Sequence, residues 1–78
     1  MDILITAHAR ERMATYDISE GIVRDAIEKP DLVTGGHSGR LLYHKKLNGY
    51  VIRAVVEDHK GIKRVITVYK ARSNRYGL

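Results

Sequence analysis

The sequence has no cysteine. That excludes a disulfide framework and a thiolate metal site, and it makes a reducing cytoplasm the expected compartment. Long apolar runs are missing as well. The first apolar stretch, Ile3-Leu4-Ile5, is far too short to span a membrane or to act as a secretory h-region. The four histidines, His8, His37, His44 and His59, are scattered, with no His-x-x-x-His spacing and no carboxylate triad beside them. No metal site is therefore expected. Gly35-Gly36-x-x-Gly39 leads into a strand rather than opening a helix, which does not suit a loop that cradles nucleotide phosphates. No cofactor is expected. Repeats, linkers and low-complexity segments are also lacking, so the 78 residues are expected to form one domain over 1–78.

What is present is basic and regularly patterned. Fourteen Lys and Arg stand against nine Asp and Glu, a formal charge of +5, and hydrophobic residues make up 44% of the chain. On so small a surface that charge favours a polyanion or an acidic protein as partner. The excess lies mostly in residues 37–78, the half that reads as β-sheet.

Thr6 is a plausible N-cap for a helix running to about Thr15. After Tyr16-Asp17-Ile18, Ser19 caps a second helix with Glu20 in its first turn. Ile18, Ile22, Val23, Ala26 and Ile27 give that helix an apolar stripe, and Lys29-Pro30 ends it. Residues 31–34 suit a short strand. Residues 40–47 and 50–57 flank Asn48-Gly49, a strong hairpin signal. A two-residue loop pairs Leu47 with Tyr50, Lys45 with Ile52, Tyr43 with Ala54 and Leu41 with Val56 on a largely apolar face. The other, more polar face pairs Lys46 with Val51, His44 with Arg53, Leu42 with Val55 and Arg40 with Glu57. Asp58-His59-Lys60-Gly61 turns the chain into a last strand, 62–69. The expected fold is α+β, with two N-terminal helices packed on a three- to four-stranded antiparallel sheet.

Three places could carry chemistry. His8 and Arg12 stand four residues apart on the first helix and share a face. His44 and Arg53 are cross-strand neighbours, an unfavourable pairing of two cations unless an anion intervenes or the histidine is neutral. The tail Lys70-Ala71-Arg72-Ser73-Asn74-Arg75-Tyr76 offers arginines for phosphate and an aromatic for a base. Cleavage of RNA without metal needs a base for the 2′-hydroxyl, cations for the charge on phosphorus and an acid for the leaving oxygen. Histidine, arginine, lysine and tyrosine supply all three, and Tyr69 is the tyrosine best placed to present its hydroxyl. Each candidate also has a plain structural reading: a surface histidine, a solvated arginine, a neutral His44 packed on the Arg53 stem, a frayed basic end.

Thr6-x-His8-Ala9-x-x-Arg12-Met13, Ile18-Ser19, Pro30, Gly39-Arg40, Lys45-Lys46-Leu47-Asn48-Gly49, Val55-Val56-Glu57, Val65-Ile66-Thr67-Val68-Tyr69 and Arg75-Tyr76 together resemble the prokaryotic domain of unknown function 4258 family, over nearly the whole chain. The family sits beside the RelE/ParE-like and BrnT-like toxins of toxin–antitoxin systems. The resemblance implies a RelE-like fold and a metal-independent endoribonuclease, an mRNA interferase. Its catalytic residues would be drawn from His8, Arg12, His44, Arg53, Tyr69, Arg75 and Tyr76, and its RNA-binding residues would be Arg40, Lys46, Arg64 and Arg72. The implied partners are RNA, free or on the ribosome, and an acidic antitoxin protein. Family members often carry Arg-Gly where this chain has Tyr16-Asp17. A non-catalytic RNA- or protein-binding module on the same scaffold is the alternative, and a topoisomerase-inhibiting toxin a third reading.

Overall fold

Thr6 and Ser19 cap the two helices as their side chains predict. Thr6 Oγ1 accepts from the Ala9 N–H at 3.1 Å and Ser19 Oγ from the Ile22 N–H at 3.2 Å. The computed structural model describes residues 2–72. In chain order the elements are β1 (Asp2–Ile5), α1 (Ala7–Tyr16), α2 (Glu20–Glu28), β2 (Leu32–Gly35), a 3-10 turn (His37–Gly39), β3 (Leu41–Leu47), β4 (Tyr50–His59) and β5 (Ile62–Arg72).

α1 closes in a Schellman motif. Asp17 adopts a left-handed conformation (φ 57°), its N–H reaches the Ala14 carbonyl, and the Ile18 N–H donates to the Met13 carbonyl at 2.8 Å. Met13 and Ile18 are both buried in the core, the apolar contact that usually accompanies this ending. The motif fixes the sharp turn into α2.

Among the described residues the sheet has five strands in the order β1-β5-β4-β3-β2 and is mixed. This corrects the expected three- to four-stranded antiparallel sheet. β1 pairs in parallel with the start of β5, Ile3 opposite Lys63 and Ile5 opposite Val65. Ile3 and Ile5 pack against the core while the intervening Leu4 is 49% exposed. This is the two-residue alternation of a strand, cut too short to stand out in the sequence. Thr6 Oγ1 also donates to the Ile66 carbonyl, tying the start of α1 to β5.

The hairpin register is the expected one from Leu41–Val56 to Leu47–Tyr50. Arg40 and Glu57, one step beyond, meet as an ion pair of 3.3 Å. Gly49 has φ 76° while Asn48 has no positive φ. The turn with positive φ at both central residues is Lys60-Gly61 (52° and 82°), the backbone of a type I′ hairpin. A register shift at Val55/Val56 lets β5 keep Val65 and Val68 on one face despite their odd spacing.

Both helices pack on the same face of the sheet. Ala9 and Met13 of α1 and Val23 and Ile27 of α2 form one core with Tyr43, Ile52, Ala54, Val56, Val65 and Val68. The opposite face, which no described helix covers, carries the residues expected there. Val51, His44 and Arg53 point there and are nonetheless buried. The reason is position: β3 and β4 are interior strands, so the strands on either side wall in the side chains they point away from the helices.

Candidate functional site

Alternation along β3, β4 and β5 sorts the expected site residues onto the two faces of the sheet. Tyr43, Ala54 and Val68 belong to the helix-side core. Their neighbours His44, Arg53 and Tyr69 therefore line the far face, and the ladders place His44 opposite Arg53 and Arg53 opposite Tyr69. The three form a row across adjacent strands. Arg53 Nε donates to His44 Nδ1 at 2.9 Å, and the Arg53 guanidinium carbon lies 6.0 Å from the Tyr69 ring centre. On its other side His44 Nε2 is 2.9 Å from Thr34 Oγ1, on β2.

The protonation state of this row follows from its donors. An arginine has no acceptor, so Nδ1 of His44 must supply a lone pair, and in the neutral ring the proton sits on Nε2 and points at Thr34. Burial, with the adjacent Arg53 charge, holds His44 below the ordinary histidine pKa. His44 is thus a neutral imidazole beside a guanidinium. No intervening anion is needed to make the cross-strand pair tolerable.

The far face also holds Arg40 and Arg64, expected to bind RNA. Both reach one carboxylate: Arg40 Nε is 3.3 Å from Glu57 Oε2, and Arg64 is 3.4 Å from Glu57 Oε1. All three side chains are well exposed, so these contacts are solvent-screened. Lys46 is exposed at the hairpin end, its backbone N–H held by Asp31 at 2.7 Å.

His8 and Arg12 do not join this row. They sit on α1, on the other side of the sheet, and His8 is exposed. Arg12 turns away toward Tyr16, donating to its hydroxyl at 3.2 Å with the guanidinium 5.2 Å from the ring centre. Four-residue spacing links Arg12 to Tyr16 as readily as to His8, and the ring takes it. Arg10 pairs with Glu20 at 3.1 Å on the surface. Arg72, opposite Tyr50 at the end of β5, faces the helix side with Lys70. Arg75 and Tyr76 lie outside the described residues.

Two groups escaped the sequence reading. Thr34 completes the His44 row, but the loop of residues 36–40 before β3 gives no turn signal that fixes the β2 register. The second is Tyr50 with Lys70, whose ammonium lies 5.2 Å from the Tyr50 ring centre. The last strand runs to Arg72, past its expected end at residue 69, and that extension sets Lys70 beside β4. Among the described residues no group of three His, Asp or Glu side chains converges as metal ligands would.

The profile of one protein family, described as a domain of unknown function (DUF4258), matches residues 5–70. The chain belongs to that family. The DUF4258 match takes in Thr34, His44, Arg53 and Tyr69 along with α1 and α2, and leaves Arg72, Arg75 and Tyr76 outside. No curated protein and no solved structure matches the chain. Among its described residues, no helix is long and apolar enough to cross a membrane.

Proposed function

We propose that this DUF4258 domain is a toxin-like, metal-independent endoribonuclease on a RelE-like scaffold, working from the far face of its sheet. The observation that carries the reading is the row His44–Arg53–Tyr69: a neutral imidazole, a guanidinium and a phenol on three adjacent strands. These are the three chemical types that RNA transesterification requires. A scissile phosphate draws Arg53 onto its oxygens, which a planar fork grips better than a ring nitrogen. His44 Nδ1, released, takes the proton of the 2′-hydroxyl as that oxygen bonds to phosphorus. The bond from phosphorus to the 5′-oxygen breaks, and the Tyr69 hydroxyl protonates the leaving oxygen. The products are a 2′,3′-cyclic phosphate and a 5′-hydroxyl. Arg40, Lys46 and Arg64 give the same face its attraction for the RNA backbone. An acidic antitoxin that covers these cations would complete a toxin–antitoxin pair in the cytoplasm.

A second reading is supported by burial. His44 and Arg53 are only 5% and 6% exposed, and both ring nitrogens of His44 are engaged. A row so enclosed also suits a sheet-stabilising network in a non-catalytic RNA- or protein-binding module.

The test is RNA cleavage by purified protein in EDTA, on free RNA and on translating ribosomes, with product ends analysed. The nuclease reading expects cyclic phosphate ends, and about a 10²- to 10⁴-fold slower reaction in His44→Gln while RNA binding persists. RNA left intact in both settings at every protein concentration sinks it and leaves the binding module.

A further inference from the structure

On the helix side the sheet extends past the end of α1, and a second basic, aromatic place forms there. Tyr50 and Arg72 are opposite each other, and Lys70 lies two residues along on the same face, opposite the buried Ile52. Tyr16, in the last turn of α1, closes the near side. Thr15, Tyr16, Tyr50, Lys70, Ala71 and Arg72 line an open cleft of about 640 Å³, within the ~300–1,000 Å³ range of small-molecule sites. None of these side chains is a carboxylate.

The cations here are held by rings rather than acids. Lys70 lies over Tyr50 and Arg12 over Tyr16, each at 5.2 Å. Among the described residues Lys70, Arg12 and Arg72 form no ion pair, in contrast to Arg10, Arg24, Arg40, Lys63 and Arg64. A ring holds an ammonium in place without neutralising it. Tyr50 is 44% exposed, which leaves much of the side chain open to a ligand.

We propose that this cleft is a nucleotide-binding site separate from the far-face row. The base stacks on Tyr50, and the phosphate is held by Lys70 and Arg72. Base-on-aromatic stacking beside a cationic groove is how single-stranded nucleic acid is held without sequence readout. The ligand chemistry is a planar base linked to phosphate, either a free nucleotide or one unit of an RNA strand. The site does not depend on the nuclease reading.

The full chain is titrated with AMP, adenosine, inorganic phosphate and a six-residue oligouridylate, with binding followed by calorimetry and by amide chemical shifts. The expected result is that AMP binds at least about tenfold more tightly than adenosine or phosphate alone, with shifts at residues 15, 16, 50 and 70–72. Tyr50→Ala and Lys70→Ala each weaken it about tenfold, and both variants keep the wild-type melting temperature because the side chains lie outside the buried core. His44→Gln leaves AMP binding unchanged, which separates this site from the cleavage reaction. Oligouridylate that shifts the same residues more tightly than AMP assigns the site to an RNA strand, and the reverse order assigns it to a free nucleotide. Phosphate binding as tightly as AMP, shifts confined to the far face, or Tyr50→Ala without effect would each overturn the proposal.

Discussion

Arg53 donates its Nε–H to Nδ1 of His44 at 2.9 Å, across the ladder between two neighbouring strands. The bond dictates which nitrogen carries the imidazole proton and makes protonation of the ring unfavourable. A second proton on His44 would place an N–H against an N–H and a charge against a charge.

The stability of the fold should therefore depend on pH through His44. Its folded-state pKa is depressed by burial and by Arg53, so below the ordinary histidine value the unfolded chain binds the proton more readily. The sign follows: the His44 contribution is complete above pH ~6.5 and declines as pH falls below it. Urea midpoints should drop between pH ~7.5 and pH ~5 in the wild type, and drop less in His44→Gln. Equal slopes would show that His44 titrates freely.

His8 offers the sharpest contrast within the nuclease reading. It is exposed on α1, across the sheet from His44. His8→Ala should cleave RNA at a rate within about twofold of wild type and lose less than ~0.5 kcal/mol of stability. Arg53→Lys should be far slower, since an ammonium cannot bridge two phosphate oxygens as a planar fork does. A His8→Ala enzyme as slow as His44→Gln would move the chemistry to the helix side.

Asp17 holds the left-handed position of the Schellman motif with φ 57°. Glycine adopts that conformation without a Cβ penalty, so Asp17→Gly should stabilise the protein by ~0.5–1 kcal/mol. In a domain of this size that is a rise of about 2–8 °C in Tm. A calorimetric scan at neutral pH measures it, and a fall in Tm would mean that the Asp17 carboxylate does something the backbone does not reveal.

Ile52 is fully buried on the central strand, among residues from both helices. Ile52→Ala should cost ~2–5 kcal/mol from lost burial and the cavity left behind. Leu47→Ala, at the 37% exposed end of the same hairpin, should cost under ~1 kcal/mol. Urea denaturation of the pair measures how far the core reaches toward the turn of the β3–β4 hairpin.

Much of the fold was legible because strong local signals lay at its joints. Thr6 and Ser19 announced the helix starts, and Asn48-Gly49 set a register that brought His44 opposite Arg53. The turn geometry itself was less legible, since the type I′ backbone belongs to Lys60-Gly61, where only the glycine announces it. β1 went unread because four residues carry barely one full alternation, and its partner is sixty positions away. The candidate site divided along similar lines. Cross-strand pairing was readable from turn length, whereas the side of the sheet that α1 occupies depends on packing. The His8–Arg12 spacing described a real helical face, but spacing alone could not show that Tyr16, one turn further, would take the arginine.

The parallel pairing of β1 with β5 also governs how this chain can come into being. The hydrogen bond from Thr6 to Ile66 spans 60 positions, and among the described residues β5 is the one strand beside β1 in the sheet. During synthesis, from N- to C-terminus, the first strand must wait unpaired until residues 62–65 have emerged. Closing so long a loop is entropically costly and slow compared with forming the hairpin in the middle. The hairpin can assemble early, but the edge strand is secured last, so a nascent chain halted before β5 cannot acquire the finished sheet.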